Sequence, residues 1–399
     1  ATISKRPDSL ELEEAAMGAL RNFVSEVLEM QGSAVEAVEP DGLEVLAPEP
    51  LRAVMGWPEL VRLGFGAELP AGATAVGFEG DWLDRFGALL GDRGRWAERQ
   101  FVLPGPPPRL YDPERLLDHV LDFPNAVWRL QKVQAAWTRC LLLAFRYSAV
   151  SDEKREGLVW LGFNQGTGAV IDDFTARLRE LLVGDAEWSV PDPDVRQAAG
   201  PAWDASVLDA RVRLLLGHRV RQEVEPFLRT MRRRLDRDRN RIHGYHNDLH
   251  LAAQKKLAAL AGSAGEKAES DRKRESLRIA AIEREYAAKL GDLSHNYALR
   301  VTVDWVQGLE LFVPVQRFEV LVRRRKGEKL MRLDWHPAVR LMEPPPSDWG
   351  LGLGRARLVC DDQLHITDPA GQSPCPSCGK AWCRACHPTA CRRCGHAPA

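Results

Sequence analysis

The cysteine-rich stretch "CPSCGKAWCRACHPTACRRCGH", residues 375–396, is the feature that most constrains what this chain can fold into. It contains three CxxC pairs, Cys375/Cys378, Cys383/Cys386 and Cys391/Cys394. A CxxC turn lets two thiolates bind one zinc ion, which takes four ligands in a tetrahedron. A segment of about 25 residues cannot bury a core of its own, so bound metal is expected to supply its folding energy.

The spacing of the pairs predicts two zinc ions rather than one. The outer pairs, Cys375/Cys378 and Cys391/Cys394, flank a 12-residue gap that is typical of a zinc ribbon. The inner pair, Cys383/Cys386, cannot share that ion and needs two further ligands. The candidates for these ligands are Cys360, His365, His387 and His396. We favour an interleaved arrangement in which Cys360 and His365 complete the inner set. Since every ligand would come from the protein, both ions are predicted to be structural.

Composition is that of an ordinary globular protein. The 399 residues carry a formal net charge of −1, with 45% hydrophobic and 28% charged residues, enough for more than one core. No apolar run reaches the length of a membrane span. The first residues, "ATISKRPDSLELEEAA", lack the apolar run of a signal peptide, which predicts a cytoplasmic chain with reduced thiols. Cys140 lies in an apolar run and is expected to be a core thiol.

Charge is distributed unevenly along the chain. Acidic side chains outnumber basic ones in residues 1–115, whereas residues 211–242 and 317–340 are strongly basic. This asymmetry predicts different partners for the two ends, with nucleic acid possible at the basic end. The candidate phosphate contacts are Arg232, Arg233, Arg234, Arg323, Arg324, Arg325 and Lys326. Pairing of these arginines with neighbours such as Asp236 and Asp238, or plain solvation, is the alternative.

Two long helical patterns cover residues 224–298. Apolar and aromatic residues recur at intervals of three and four, first at Val224, Leu228, Met231, Leu235, Ile242, Tyr245 and Leu249. The same pattern returns after the Gly/Ser break at 261–267 and ends at Tyr297. Narrow stripes on two helices with a short connection predict an antiparallel coiled-coil hairpin. Pro226 predicts that the first helix begins or kinks at that position.

The remaining patterns are of mixed type. Helical periodicity occurs at 9–30, around 50–64 and around 80–92, and a strand pair turns at Pro40–Gly42. Aromatic and β-branched runs over 124–171 predict an antiparallel sheet, followed by a helix at 172–183. Segments 103–109, 189–204 and 342–355 are rich in proline or glycine and predict linkers.

The fold class predicted from these patterns is α+β, with small mixed domains, an antiparallel sheet, the coiled-coil hairpin inserted in the body, and a C-terminal zinc module. The predicted division is an N-terminal α+β domain over 1–102, a β-rich unit with a packing helix over 110–188, helices and the hairpin arm over 206–300, returning strands over 301–342, and the zinc module over 359–399.

No familiar catalytic constellation occurs in the sequence. The motifs GxxxxGK[ST], GxSxG and HExxH are all missing, and "GLGLG" at 350–354 follows a proline segment, which predicts a flexible stretch. His243, His246 and His250 share one side of a helix, and such a face could hold the metal of a hydrolase. Histidines beside a helical seam are also commonly packed or solvated, and no glutamate stands between them as in HExxH. We therefore expect a protein that is not an enzyme.

The runs "NAVWRLQKVQ…LLLAFRYSAV", "RRRLDRDRNRIHGYHNDL" and "REYAAKLGDL" resemble the region that follows the motor in bacterial polymerase-associated Snf-type helicases. The resemblance spans about half of the chain, which lacks any motor and ends in the cysteine module. The chain is also similar to uncharacterised zinc-tailed bacterial proteins associated with such helicases as separate accessory chains. This resemblance implies a partner subunit rather than an enzyme, and it carries no functional residue over.

The function predicted from the sequence is that of a zinc-binding accessory or adaptor protein of a DNA or RNA motor. Its arm and its zinc-binding end would dock a partner protein, such as a helicase, or nucleic acid. Two alternatives from other classes are the metal-dependent hydrolase described above and a ligase with a RING-like pair of crossed zinc sites. The segment "CRACHP" favours the ligase, while the irregular first ligand pair counts against it.

Overall fold

A computed structural model describes residues 9–91, 95–103, 105, 110–183, 187–262 and 265–397. The chain forms two compact units, Ala1–Arg95 and Trp96–Ala399. Within the described residues, no helix combines the length and the apolar character that a bilayer crossing requires. The protein is of mixed α+β type, with antiparallel sheet pairing and one very long helix.

The first unit is a four-stranded sheet packed against helices. Its elements are α1 Ser9–Met30, β1 Ala34–Val38, β2 Gly42–Leu46, α2 Glu49–Met55, β3 Leu60–Gly64, β4 Thr74–Ala75 and α3 Trp82–Leu90. The strands lie in the order β1-β2-β3-β4, and only the β3–β4 pair is parallel. Val24, Leu28, Leu63 and Phe86 are fully buried between α1, the sheet and α3. Burial on this scale provides the main stabilising free energy of the unit.

Two of the sequence predictions for this unit have different outcomes. The hairpin turning at Pro40–Gly42 is confirmed, because Val38 is paired with Gly42 across β1 and β2. The helix predicted over 50–64 is wrong in its second half. It ends at Met55, where Gly56 takes the left-handed φ of +68° that caps a helix, and residues 60–64 join the sheet as β3. Pairing with β2 therefore decides the conformation of this segment.

The second unit is built around a seven-stranded sheet. Its elements are β5 Trp96–Phe101, α4 Pro113–Val120, β6 Val127–Val150, β7 Lys154–Asn164, α5 Asp172–Val183, β8 Trp188–Ser189, α6 Pro193–Ala198, α7 Ala205–Ala259, α8 Glu266–Asn296, β9 Arg300–Arg324, β10 Gly327–His336, β11 Leu341–Met342, β12 Leu358–Val359 and β13 Ile366–Thr367, followed by a 3-10 turn at Pro369–Gln372.

The centre of this sheet is the pairing of the two longest strands. Strands β6 and β9 run antiparallel from Val127 opposite Arg323 to Val150 opposite Arg300. Strand β7 extends the sheet beside β6, while β5 and β10 pair with β9. The sheet predicted over 124–171 and the strands predicted after the helical arm are thus confirmed, and they belong to one sheet. The finer division into five domains stays a prediction.

Helices α7 and α8 lie against each other in antiparallel order. The Tyr297 hydroxyl donates to Asp238 at 2.8 Å, and further along the pair Nδ1 of His243 lies 3.0 Å from the Tyr286 hydroxyl. Pro226 is predicted to begin or kink the first helix. The helix does not begin there, because α7 starts at Ala205 and continues through that proline, and the kink stays a prediction. The more specific coiled-coil packing stays a prediction.

The seam of α7 differs from the expected stripe at one step. Tyr245, predicted to lie in the stripe, is 60% exposed, whereas the neighbouring His246 is only 6% exposed. After the half-buried Ile242, the next buried positions of this helix are His246 and the fully buried Ala253. From hydropathy alone, burial of the tyrosine would be expected rather than burial of the histidine. The helical period nevertheless places the histidine against α8.

Two segments predicted as linkers are packed parts of the fold. Segment 189–204 contains α6, whose Val195 is buried together with Ala199 and Phe312. Segment 342–355 contains the fully buried Glu343 and wraps around the buried side chain of Arg357. Proline and glycine shape the path of these segments here, and the expected flexibility of 350–354 is wrong. Gly350, at a φ of +104°, lies so close to Asp368 that an added Cβ would come within 2.4 Å of its Oδ2.

Arg357 organises segment 342–355 by hydrogen bonding. Its guanidinium donates to the carbonyl oxygens of Pro345 and Gly352, both at 2.7 Å, and to that of Ala356 at 2.9 Å. An ion pair with Asp368 at 3.3 Å supplies the counter-charge. A buried guanidinium is stable only when its donors are satisfied, so this segment is tied to one side chain.

A buried polar network lies at the end of β7. The amide of Asn164 donates to Asp334 at 2.9 Å and to Glu343 at 2.7 Å, and Arg317 binds Asp334 through two bonds of 2.8 Å. Burial raises the pKa of Glu343. The network joins β7, β9, β10 and the start of segment 342–355 by polar contacts that hydropathy does not reveal.

Candidate metal centre

The first cluster of thiols, called here the outer cluster, comprises Cys375, Cys378, Cys391 and Cys394. All four Sγ atoms lie within 4.8 Å of one another. The Sγ atoms of Cys375 and Cys394 are 3.6 Å apart, and those of Cys378 and Cys391 are 3.9 Å apart. Cys375 and Cys391 are buried, whereas Cys394 is exposed. The outer pairs therefore converge on one point, as their spacing predicts.

Two matching turns build the outer cluster. In the first, Gly379 donates its N–H to the Cys375 carbonyl at 2.8 Å, and in the second, Gly395 donates to the Cys391 carbonyl at 2.8 Å. The φ angles of these glycines are +67° and +69°, a region that residues with a Cβ rarely adopt. A glycine after the second cysteine lets each turn curl so that both thiols point inward. This CxxCG signal is readable in the sequence and marks the two outer turns as a pair.

The second cluster, called here the inner cluster, comprises Cys360, His365, Cys383 and Cys386. The Sγ atoms of Cys360 and Cys386 are 3.7 Å apart. Nδ1 of His365 lies 3.2 Å from Sγ of Cys386, 3.9 Å from that of Cys360 and 4.0 Å from that of Cys383. This set of three sulfurs and one imidazole nitrogen is the interleaved partner set favoured from the sequence.

The β12–β13 hairpin supplies two of the inner donors. Cys360 follows β12 and His365 precedes β13, and the Cys360 N–H donates to the His365 carbonyl at 3.0 Å. Val359 and Ile366 beside them are buried in the core with Phe318. These contacts fix Cys360 and His365 to the sheet, so the inner cluster joins that sheet to the cysteine-rich end.

Asn125 also holds this hairpin, and sequence reasoning missed it. Its side-chain amide donates to the Val359 carbonyl at 3.1 Å, and its oxygen accepts from the Val359 N–H at 3.0 Å. Both atoms of the amide thus bond one backbone residue that lies next to Cys360. No local pattern around Asn125 indicates such a role, because its partner lies more than 200 positions away.

The donors of both clusters fit a tetrahedral metal ion. Four thiolates at a zinc–sulfur distance of 2.3 Å would have Sγ atoms about 3.8 Å apart, close to the separations in both clusters. A disulfide would need about 2.05 Å, and all eight cysteines are free. Sulfur-rich sets of four donors are typical of zinc or iron–sulfur proteins. Each cluster can therefore hold one metal ion with every coordination position filled by protein.

The thiols differ in how readily they ionise without metal. Backbone N–H groups of Arg393 and Cys394 lower the pKa of Cys391 to about 7. Burial and the neighbouring Cys383 and Cys360 raise the pKa of Cys386 to about 12. The Lys380 N–H acts to lower the pKa of Cys378, but desolvation and the three surrounding thiols raise it to about 11. Each cluster thus keeps at least one proton that a metal must displace.

The ligand pairs of the two clusters alternate along the chain. The pair Cys360/His365 and the pair 383/386 form the inner cluster, and the pairs at 375/378 and 391/394 form the outer one. Within the described part of the chain, these are the two groups of three or more Cys, His, Asp or Glu whose donor atoms come this close. The other candidates, His387 and His396, contribute backbone carbonyls that accept from Trp382 Nε1 and the Cys391 N–H.

The three histidines of the long helix have separate surroundings. Nδ1 of His246 bonds the Ile242 carbonyl at 2.9 Å, and Nε2 of His250 lies 3.3 Å from Glu283 of α8. His243 contacts the Tyr286 hydroxyl. The three side chains border one small cavity together with α8, but their donor atoms are more widely spaced than those of the two cysteine clusters.

The basic candidates fall into two groups. Arg234 pairs with Glu153, Arg323 with Glu328 at 3.7 Å, Arg324 with Asp361 at 3.0 Å and Lys326 with Asp362 at 3.8 Å. The remaining candidates, Arg232, Arg233 and Arg325, are exposed. The structure therefore assigns four of the seven predicted side chains to internal ion pairs.

Comparison with known proteins gives no relative from which a role could be transferred. No protein-family model matches the sequence, and no curated protein is significantly similar to it.

Proposed function

We propose that this protein is a non-enzymatic, zinc-binding accessory protein of a DNA or RNA motor. The observation that carries the proposal is that both clusters consist of four protein donors, a composition that leaves no position for substrate. A metal held in this way stabilises a surface rather than performing a reaction. The tail, residues 375–396, would then act as a rigid docking element.

Zinc is the ion that we propose for both clusters. Sets of four thiolates, or of three thiolates and one imidazole, are typical structural zinc sites. In the outer cluster the two turns are alike in hydrogen bonding, and in the inner cluster the hairpin donors are preset by the sheet. Donors arranged in this way before metal binds favour an ion that is commonly bound in a tetrahedron and that has no redox chemistry, as zinc is.

The helical pair and the basic surface would form further docking elements. We propose that α7 and α8 pack as a coiled-coil hairpin whose outer faces meet the partner protein. Arg232 and Arg233 on α7, and Arg325 between β9 and β10, are exposed and, among the described residues, have no carboxylate within ion-pair distance. Phosphate groups of nucleic acid would satisfy these guanidinium groups.

A salt titration of nucleic-acid binding tests the role of these three arginines. Replacing Arg232, Arg233 and Arg325 with alanine should weaken binding, and each lost phosphate contact should reduce the salt slope of log K by about 0.9 for duplex DNA. Arg213→Ala is the matched control, because this exposed arginine of α7 already pairs with Asp209 at 2.7 Å. Equal effects of both changes would contradict the assignment.

Affinity capture from the native host tests the partner. The tagged full chain should retain a helicase or another nucleic-acid motor, identified by mass spectrometry. Retention should survive nuclease treatment if the contact is between proteins. A chain that recovers no motor and ignores nucleic acid at low salt would overturn the proposal.

The alternation of ligand pairs favours one second candidate, a RING-like ligase. Its defining feature would be two crossed metal sites, and the inner and outer clusters do alternate along the chain. The first pair is irregular, because four residues separate Cys360 from His365. Incubation with ubiquitin and its activating and conjugating enzymes tests for ligase activity. Ubiquitin transfer that is lost with Cys383→Ser would support the ligase, and absence of ubiquitin transfer would exclude it.

A further inference from the structure

A cavity of about 140 Å³ lies between α7 and α8. Three histidines of α7, His243, His246 and His250, border it on one side, and Glu283 and Tyr286 of α8 border it on the other. Grouping of imidazoles and a carboxylate around one space is unusual for a helical seam, which ordinarily buries apolar side chains. The cavity belongs to neither cysteine cluster.

His246 is the decisive side chain in this cavity. It is 6% exposed, and its Nδ1 lies 2.9 Å from the Ile242 carbonyl. A carbonyl can only accept, so Nδ1 carries the proton and, in the neutral ring, Nε2 carries a lone pair. Nε2 is buried and has no hydrogen-bond partner among the described residues. A backbone carbonyl that fixes one ring nitrogen is also the usual support of a metal-ligating histidine.

His250 and Glu283 stand beside this lone pair. His250 follows His246 by four positions, the helical spacing at which two imidazoles can bind one ion. Its Nε2 lies 3.3 Å from Oε1 of Glu283, which belongs to the opposite helix. The side chains of His250 and Glu283 are 27% and 65% exposed, so both have room to rotate. Two imidazoles and a carboxylate are typical ligands of divalent first-row transition metals.

We propose that His246 Nε2, His250 and Glu283 form a third metal site, which takes a divalent first-row transition-metal ion such as zinc, cobalt or nickel. The donors lie farther apart than those of the cysteine clusters, so binding would draw His250 and Glu283 toward the buried nitrogen. The hydrogen bond between His243 and Tyr286 would close the far side of the site. An ion held in this way would cross-link α7 to α8 and stiffen the arm.

Cobalt titration of the full chain tests this site, after only two equivalents of zinc have been added for the two cysteine clusters. One cobalt ion per chain should bind in addition to the zinc. Its absorption spectrum should show the weak visible bands of cobalt with nitrogen and oxygen ligands and should lack the intense charge-transfer band of cobalt bound by cysteine thiolates. His246→Gln should abolish this additional binding. His295→Gln should leave it unchanged, because His295 is an exposed histidine in the last turn of α8.

Two surface variants keep the test decisive if His246→Gln disturbs the helices. His250→Gln and Glu283→Gln alter partly exposed side chains, and circular dichroism should show full helix content in both. Each should weaken or remove the additional cobalt binding. Binding that persists in these variants, or no additional ion in the unaltered chain, would overturn the proposal.

Discussion

The Sγ atoms of Cys360 and Cys386 lie 3.7 Å apart, although the two residues are 26 positions apart in the sequence. Cys360 is held by the core beneath the β12–β13 hairpin, whereas Cys386 belongs to the tail. A metal ion between them would connect a preformed part of the fold to a segment that has almost no core. The inner cluster is thus where metal binding and tertiary structure depend on each other.

Loss of one outer ligand should remove metal selectively. The change Cys391→Ala removes one of the four donors of the outer cluster. The variant should therefore contain about one zinc ion per chain fewer, as measured by elemental analysis. Cys140→Ala is the control, because this thiol is buried in the sheet core and belongs to neither donor set. Unchanged zinc content in Cys391→Ala would refute the ligand assignment.

Loss of one inner ligand should free the tail from the sheet. With Cys383→Ser, the inner ion has lost a donor, and local opening of residues 375–396 becomes easier. Trypsin should then cleave faster after Lys380 and Arg384, while the rest of the second unit stays resistant. Thr389→Ser, a conservative change at an exposed tail position, should leave cleavage unaltered. Equal protection in Cys383→Ser would show that metal does not anchor the tail.

Metal binding should release protons at neutral pH. Cys378 and Cys386, with pKa values of about 11 and about 12, are protonated in the metal-free protein at pH 7.5. Zinc must displace these protons, so its apparent affinity should fall as pH is lowered. Calorimetric titration in two buffers of different ionisation enthalpy should give different apparent enthalpies. Identical values would mean that no proton leaves.

Replacing Arg357 should destabilise the second unit strongly. Arg357→Met leaves Asp368 without its cation and several buried carbonyls without a donor, which should cost about 3–5 kcal/mol in unfolding free energy. Arg357→Lys should fail to restore stability, because an ammonium cannot reproduce the planar fork. Arg355→Met alters an exposed neighbour and should change stability by less than about 1 kcal/mol. Chemical denaturation measures all three.

Most donors of the metal centre could be predicted because a CxxC pair is a short motif that can be recognised without the fold. The three CxxC pairs identify six thiols. Because one zinc ion takes four ligands, the inner pair needs two further ligands from elsewhere in the chain. Cys360 and His365 were two of four candidates on this basis. Their convergence on Cys383 and Cys386 depends on the packing of Val359 and Ile366 and on Asn125, whose partner is distant in sequence.

The strands were predicted more successfully than the connections between them. The apolar, β-branched and aromatic runs in β6, β7 and β9 are typical of strands, and consecutive residues such as Leu141 and Leu142 are buried on opposite faces of the sheet. Residues 60–64 are predicted as helix from the sequence, and pairing with β2 makes them a strand instead. Segment 342–355 has the composition of a linker, and the buried guanidinium of Arg357 makes it part of the core.

The metal-donor types, the strands and the two long helices can be predicted from the sequence, because each follows from spacing between near neighbours. Which donors meet, which glycine-rich segment is packed, and that His246 rather than Tyr245 faces α8 depend on the tertiary fold. Those outcomes depend on contacts between residues far apart in the chain. Their free energies arise from burial and hydrogen bonding that no local pattern contains.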